Sequence, residues 1–135
     1  MVKISVTATG DKHCELVHGP SGTKIETDAP LDNKGKGEKF SPTDLVAAAL
    51  GSCILTTMEI FSERENLSMK GATCEVTKEM TPPPRRIGKL RVDIQMPAGI
   101  PKNFRERLEA AAHYCPVHKS LHADVEAPLS FSYPD

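Results

Sequence analysis

One apolar segment behind a strong helix-start signal constrains this chain more than any other feature. Residues 41–44 read S-P-T-D, which combines a serine N-cap, a proline at the first helical position and an acid that can bond back to the cap. The residues that follow are apolar on nearly all sides through the first turns and become amphipathic only after Thr56. The sequence therefore predicts a long, buried central helix that runs from Pro42 to about Glu65.

Segments in which polar and apolar residues alternate lie on both sides of this helix. Before the central helix, the sequence predicts three antiparallel strands within residues 1–30 and a mobile Gly- and Lys-rich loop at 31–40. After it, the sequence predicts strands at 72–77 and 90–96, which a stiff P-P-P-R-R-I-G turn at 82–88 joins. Helices at 101–113 and 116–122 and a last strand at 125–131 follow. Strands and helices that do not alternate strictly indicate an α+β fold with a largely antiparallel sheet.

The size and charge of the chain restrict its function class. Its 135 residues fit a single domain, residues 1–135, because domains cluster near about 100–150 residues. Lys and Arg number 17 against 18 Asp and Glu, without a block of one sign, so no nucleic-acid partner is expected. No uninterrupted apolar run approaches the roughly 18–20 residues of a membrane span, and the amino terminus is too polar for a signal peptide. We therefore expect a cytoplasmic protein with no membrane partner and, since no Gly-Lys-Ser/Thr phosphate loop occurs, no nucleotide cofactor.

Four cysteines without a close C-x-x-C pair are the main candidates for chemistry. Cys14 and Cys74 lie on the apolar sides of predicted strands, where burial without reactivity is expected. Cys53 lies about three turns into the central helix, too far from its amino end for the helix dipole to act. On the residue pattern alone, Cys53 is either a small apolar core residue or a thiol that a separate cationic group activates.

Cys115 differs because Pro116 follows it. A proline at the first helical position makes Cys115 the N-cap of a short helix at 116–122, where unpaired N–H groups and the helix dipole favour a thiolate. The alternative is a cysteine that only caps the helix. Cys115, His118 and His122 lie three and four residues apart, and the two histidines share a helical face, which offers a zinc site as a further alternative; such a site needs ligands from elsewhere, and no metal is expected.

Three segments together resemble the OsmC/Ohr family of thiol-dependent hydroperoxide reductases. They are F-S-P-T-D-L-V-A-A-A-L-G-S-C at 40–53, P-P-P-R-R-I at 82–87 and A-H-Y-C-P-V-H-K-S-L at 112–121. The resemblance implies an α+β fold built as an intertwined homodimer, in which antiparallel sheets wrap long central helices and no cofactor is bound.

The resemblance also implies the roles of individual residues. Cys53 matches the cysteine that attacks the peroxide, and Cys115 matches its resolving partner at the junction of the subunits. An organic hydroperoxide would oxidise Cys53 to a sulfenic acid, Cys115 would condense with it to a disulfide, and a small-molecule or protein dithiol would reduce that disulfide. Leu50, Ile54 and Thr57, about one turn from Cys53, would line an apolar substrate pocket.

The sequence departs from the family pattern at the groups that stabilise the thiolate. Thr43 stands where active members carry a glutamate, and the neighbouring Asp44 is predicted to cap the helix with Ser41. Active members of the family also carry an arginine in the N-terminal part of the chain, but here no arginine precedes Arg64. Lysine is a poor replacement because it lacks the planar fork for bidentate pairing. The cations that remain are Lys24, Lys34, Lys36, Lys39, Arg85 and Arg86. The sequence therefore fits the broader OsmC-like branch, and a small-molecule-binding dimer without peroxidase turnover is the alternative function.

Overall fold

Six β-strands and three α-helices form in the order that the sequence predicts, which confirms the α+β class. In this computed structural model, which describes all residues from Met1 to Asp135, the strands are β1 (Ile4–Gly10), β2 (His13–His18), β3 (Lys24–Asp28), β4 (Thr73–Met80), β5 (Ile87–Gln95) and β6 (Leu129–Ser132), and the helices are α1 (Pro42–Glu63), α2 (Lys102–Ala112) and α3 (Pro116–Ser120). A short 3₁₀ turn lies at Leu31–Asn33. The chain divides into two compact units, Met1–Val46 and Ala47–Asp135.

The first unit is an antiparallel meander with an uncovered apolar face. Strands β1, β2 and β3 pair in chain order, with Val6 opposite Leu16 and Leu16 opposite Ile25. Every residue of β1 is exposed, and Ile4, Val6 and Ile25 keep 60%, 60% and 47% of their surfaces accessible. Antiparallel sheets normally pack one apolar face against a core, but this face is exposed in the single chain.

A buried carboxylate ties the Gly- and Lys-rich loop to the end of β3. Asp28 is 1% exposed; its Oδ2 accepts the backbone N–H of Glu38 at 3.0 Å, and its Oδ1 lies 3.2 Å from Nδ1 of His13. The Asp28 N–H in turn donates to the carbonyl of Phe40 at 3.0 Å. The Glu38 N–H, with help from His13, holds the pKa of Asp28 below its ordinary value. The loop that was expected to be mobile is therefore anchored at Glu38 and Phe40.

The helix-start signal forms the predicted capping box. The Ser41 N–H donates to the Asp44 carboxylate at 2.9 Å, and the Asp44 N–H donates to the Ser41 hydroxyl at 3.0 Å. Helix α1 begins at Pro42, as predicted, and ends at Glu63, two residues before the expected end. Asn66 then takes a left-handed conformation with φ of 56°, which is common just after a helix ends.

One face of α1 packs in the core of the second unit. The core side chains from α1, β5 and α2 are at most 3% exposed: Leu50, Ile54, Met58, Leu90, Val92, Ile94, Phe104 and Leu108. At Gly51 the helix backbone approaches β4 so closely that an added Cβ would lie 3.0 Å from the Cys74 sulfur. The opposite face, which includes Ala49, Ser52 and Ile60, is exposed. The prediction that α1 is buried on nearly all sides is therefore wrong for the single chain.

The second sheet is mixed rather than purely antiparallel. Strands β4 and β5 form an antiparallel hairpin, and β6 lies parallel to β5 with Phe131 opposite Ile94. The last strand begins at Leu129 instead of residue 125, since before it only Glu126 forms an isolated bridge, to Lys89.

Helix α1 bears on the expectation that no segment of the chain resembles a membrane span. By length and composition alone, α1 is long and apolar enough to cross a bilayer, because its 22 residues contain an 18-residue window with a mean hydropathy of 1.7, although no uninterrupted apolar run suggested this. Core helices of soluble proteins meet the same criterion, and α1 places its Leu50, Ile54 and Met58 in a protein core.

Candidate active site

The structure brings together the two cysteines that the resemblance singled out. Cys53 lies in the middle of α1 and is half-buried, whereas Cys115 lies directly before α3 and is wholly buried. Both are free thiols, and they lie close enough together for Cys53 to raise the pKa of Cys115. The second unit therefore holds a pair of reduced, adjacent cysteines.

The position of Cys115 follows from local chain chemistry. Its backbone is extended, Pro116 begins α3, and its sulfur accepts the backbone N–H of His118 at 3.3 Å. This confirms the predicted N-cap, although α3 ends at Ser120 rather than at residue 122.

Burial decides the protonation of Cys115. Burial raises its pKa, and Cys53 raises it further, while the N–H groups of His118 and Val117 act in the opposite direction; the net shift is upward. The N–H groups at the start of α3 thus favour a thiolate at Cys115, as expected, but the loss of solvation outweighs them, and the pKa lies above its ordinary value.

An apolar cavity begins beside Cys53. The Cys53 sulfur lies 4.0 Å from Oγ1 of Thr57, and Thr57 lines a cavity of about 400 Å³ between α1 and the carboxyl-terminal part of α2. Ile60, Phe61, Arg64, Arg107 and Tyr114 form most of its wall. Of the three predicted pocket residues only Thr57 lines this cavity, because Leu50 and Ile54 are fully buried in the core.

Sequence reasoning missed the other residues of this wall. One helical face of α1 carries four of the wall residues, and their spacing in the sequence could have predicted this: Thr57, Ile60, Phe61 and Arg64. Arg107 and the rest of the α2 contribution depend on which two helices lie side by side, and residue spacing within one helix does not carry that information.

The predicted supporting residues at the start of α1 have local partners. Asp44 forms the capping box with Ser41, and the Thr43 hydroxyl lies 3.2 Å from the Ser41 hydroxyl. Thr57 lies 4.0 Å from the Cys53 sulfur and Cys115 is close enough to be influenced by it; neither residue is a cation. Of the cations considered from sequence, Arg86 donates to the carbonyl of Ile87 in the β4–β5 turn, and Lys39 lies 3.7 Å from Glu26.

The histidines near Cys115 do not form a metal centre with it. No group of three His, Cys, Asp or Glu side chains could hold a metal ion, and Nδ1 of His122 accepts the backbone N–H of Asp124 at 3.0 Å. His118 instead packs edge-on to His113, with the centres of the two rings 6.2 Å apart. Burial and the charges of His113 and Lys119 lower the pKa of His118. The zinc alternative on Cys115, His118 and His122 thus has no structural support.

Comparison with known families gives one match over most of the chain. The family model described as OsmC-like protein matches residues 35–129. Among functionally curated proteins, none is significantly similar in sequence to this chain.

Several solved structures share the fold. A Psychrobacter arcticus protein named for osmotic stress and the detoxification response is 38% identical, with a TM-score of 0.92 over 98% of this chain and 96% of that one. The Legionella pneumophila organic hydroperoxide resistance protein OsmC is 20% identical, with a TM-score of 0.76 over 98% and 96% of the two chains. The organic hydroperoxide resistance protein OhrB of Bacillus subtilis is 17% identical, with a TM-score of 0.73 over 98% of each chain. At these lower identities the last two structures show the fold alone.

Proposed function

The chain belongs to the OsmC-like family, and from that premise we propose that it is a cysteine-dependent organic hydroperoxide reductase that acts in defence against oxidative stress. The observation that carries the proposal is the proximity of two free thiols that lie far apart in sequence: Cys53 raises the pKa of Cys115, and Cys53 lies next to Thr57 at the edge of an apolar cavity. The names of two neighbours with the same fold refer to organic hydroperoxide resistance, which agrees with this chemistry.

The first step oxidises Cys53. Its thiolate attacks the terminal oxygen of ROOH, an S–O bond forms as the O–O bond breaks, and the departing alkoxide takes a proton from solvent to become ROH. The peroxide is thereby reduced by two electrons, and Cys53 becomes a sulfenic acid. The cavity beside Thr57 suits an apolar R group, which favours organic peroxides over hydrogen peroxide.

The second step uses Cys115. Its sulfur displaces the hydroxyl of the sulfenic acid, an S–S bond forms, and the hydroxyl leaves as water with the proton of the Cys115 thiol. A small-molecule or protein dithiol then reduces the disulfide by exchange and is itself oxidised. We place this cycle in the cytoplasm, where such dithiols keep cysteines reduced.

Substitution of the cysteines tests this proposal. With cumene hydroperoxide and a dithiol, Cys53→Ser should reduce turnover to the rate of the dithiol alone. Without the dithiol, which would itself reduce a sulfenic acid, Cys115→Ser should consume about one peroxide per chain and then retain one added oxygen atom in its intact mass. Cys14→Ser, a half-buried cysteine of β2, is the matched control and should turn over like the wild type. Equal turnover by wild type and Cys53→Ser would contradict the proposal.

A small-molecule-binding protein without turnover is the second candidate function. It is favoured by the neighbours that the structure shows for Cys53, Thr57 and Cys115, neither of which is a cation, and by Thr43 at the position where active members of the family carry a glutamate. Thiol titration separates the two functions, because a peroxide-attacking cysteine should ionise well below the roughly 8.5 of a free thiol. A Cys53 that titrates at or above that value, together with ligand binding in the cavity, would favour the binding protein.

We further propose that the protein is a homodimer in which a second copy covers the apolar face of β1–β3. This face carries exposed Ile4, Val6 and Ile25, together with a cavity of about 360 Å³. Light scattering should give about twice the 14.7 kDa of one chain. Val6→Asp should shift the protein towards the monomer, whereas Thr7→Asp, on the opposite face of β1, should leave the dimer intact. A wild type that is monomeric at micromolar concentration would refute this assembly.

A further inference from the structure

Helix α1 contains a single glycine, Gly51, which stands two positions before Cys53. Glycine in a helix interior lowers helix stability relative to alanine, and the same helix carries alanine at each of residues 47–49. An isolated glycine that interrupts a strong helical pattern indicates a close packing contact or a functional constraint. Gly51 is buried, so its reason lies in what packs against it.

Strand β4 occupies the space that a side chain at residue 51 would need. A Cβ added to Gly51 would lie 3.0 Å from the Cys74 sulfur and 3.0 Å from Cγ2 of Val76. Non-bonded heavy atoms in favourable contact are roughly 3.5–4.0 Å apart, so both distances would have to grow by about half an ångström or more. Alanine therefore fits at residue 51 only if α1 and β4 move apart.

The side chains of β4 have little freedom to give way. Val76 is β-branched, and its side chain is restricted to few rotamers. In the ladder between β4 and β5, Cys74 lies opposite Ile94 and Val76 lies opposite Val92, and both partners are at most 1% exposed. Because β4 is paired with β5 along its whole length, the expected response to a larger residue is a shift of α1.

A shift of α1 would change the position of Cys53 relative to Cys115. Cys53 follows Gly51 by two residues, which is roughly 3 Å along the helix axis, so Cys53 moves with the backbone at Gly51. Cys115 is held separately: it is 0% exposed, and its sulfur accepts the backbone N–H of His118 at 3.3 Å. A disulfide forms without strain only within a narrow range of distances and angles between its two residues.

We propose that Gly51 is a positioning residue, whose missing side chain sets the spacing between α1 and β4 and thereby holds Cys53 within bonding reach of Cys115. The inference rests on one part of the proposed function, the disulfide between these two cysteines, and it holds for any oxidant that forms this disulfide. Cys74 and Val76 provide the surface against which α1 is placed.

Redox titration of the full-length protein tests the proposal. The protein is equilibrated in mixtures of reduced and oxidised glutathione, free thiols are alkylated, and peptide mass spectrometry gives the fraction of Cys53–Cys115 disulfide. The two cysteine thiols give up two electrons and two protons as the S–S bond forms, and one oxidised glutathione becomes two reduced glutathiones. Gly51→Ala should lower the equilibrium constant for disulfide formation about tenfold, which raises the reduction potential by roughly 30 mV.

Two further variants separate positioning from a general loss of stability. Ser52→Ala, on the exposed face of α1 beside Cys53, is the matched control and should keep the wild-type equilibrium. A triple variant that combines Gly51→Ala with Cys74→Ala and Val76→Ala makes room for the new methyl group and should return the constant to within about threefold of the wild type. Its core is less well packed, so a stability effect alone would make the triple variant worse than Gly51→Ala.

Three results would overturn the inference. They are a Gly51→Ala variant that forms the disulfide as readily as the wild type, a triple variant no better than Gly51→Ala, and a wild type that forms no Cys53–Cys115 disulfide. If Gly51→Ala does not fold, the triple variant decides: folding with a wild-type equilibrium supports the positioning role, and any other result removes it.

Failure of this test and failure of the peroxidase test can be told apart. A disulfide equilibrium that ignores residue 51, together with Cys53-dependent turnover of cumene hydroperoxide, would remove the positioning role and keep the proposed function. A disulfide that depends on Gly51, without such turnover, would keep the positioning role and remove the peroxidase.

Discussion

Ile54 and Ile60 lie on different faces of α1, and their replacement by alanine should separate core packing from the cavity wall. Ile54 is 0% exposed, and alanine removes three of its carbon groups. At about 0.8 kcal/mol for each buried group, with an added cost for the space left behind, Ile54→Ala should lower the free energy of unfolding by about 3 kcal/mol. Unfolding entropy is roughly 2.1 cal/mol/K per residue, so this loss corresponds to a decrease in Tm of about 10 °C.

Ile60→Ala removes the same atoms from a different environment. Ile60 is 58% exposed and lines the cavity beside Cys53, so the free energy of unfolding should change by less than about 1 kcal/mol. If the cavity receives the R group of the peroxide, the KM for cumene hydroperoxide should instead rise by roughly three- to tenfold.

Urea denaturation followed by circular dichroism measures the difference between the two variants. All proteins should be compared at one concentration, since dimerisation adds concentration-dependent stability. An equal loss of stability in Ile54→Ala and Ile60→Ala would refute this reasoning, because it would mean that both faces of α1 are packed to the same extent.

Three further substitutions probe the polar contacts of the fold. The folded-state pKa of Asp28 is lowered from 3.8, so its stabilising effect should be complete well above pH 3.8 and decrease as the pH falls below that value. The difference in stability between wild type and Asp28→Asn should therefore be largest near neutral pH and shrink in acid. Urea midpoints at several pH values measure this difference. Ser41→Ala removes the N-cap of α1 and should cost about 1 kcal/mol, whereas Ser52→Ala on the exposed face of α1 should change the urea midpoint little. Tyr133→Phe removes a 2.7 Å hydrogen bond to a glutamate of α2 and should cost about 1–2 kcal/mol, while Tyr114→Phe, at a residue 69% exposed, should be neutral in the same denaturation assay.

The elements of this fold could be predicted where the signal is local. The S-P-T-D segment fixed the start of α1 because the side chains that cap a helix lie within three residues of one another. The ends of α1 and α3 and the start of β6 were less well defined, since element ends fray and residue spacing does not mark the terminal residue. The uncovered face of β1 could not be foreseen, because alternation predicts which residues share a face and not whether another element covers it.

The candidate site shows the same limit more clearly. The spacing of residues gave Cys53 two open interpretations, and only the resemblance to a family paired it with Cys115. The cavity depends on Phe61 and Phe104, which stack across two helices that are far apart in the chain. Nothing in the periodicity of either helix states that they are neighbours, so the cavity could be described only once the structure placed α1 beside α2.

The electrostatic contact between the cysteines has a consequence for the order of the reaction. Burial raises the pKa of Cys115 first, and charge on Cys53 adds to that rise. When a peroxide converts Cys53 to a neutral sulfenic acid, that charge is lost, so Cys115 should ionise more readily at the step in which it must attack. Cys53→Ser, which carries no charge at this position, should therefore titrate Cys115 at a lower pH than the reduced wild type does, as measured by NMR of ¹³Cβ-labelled cysteine. An unchanged or higher pKa in this variant would show that Cys53 does not hold Cys115 in its protonated form.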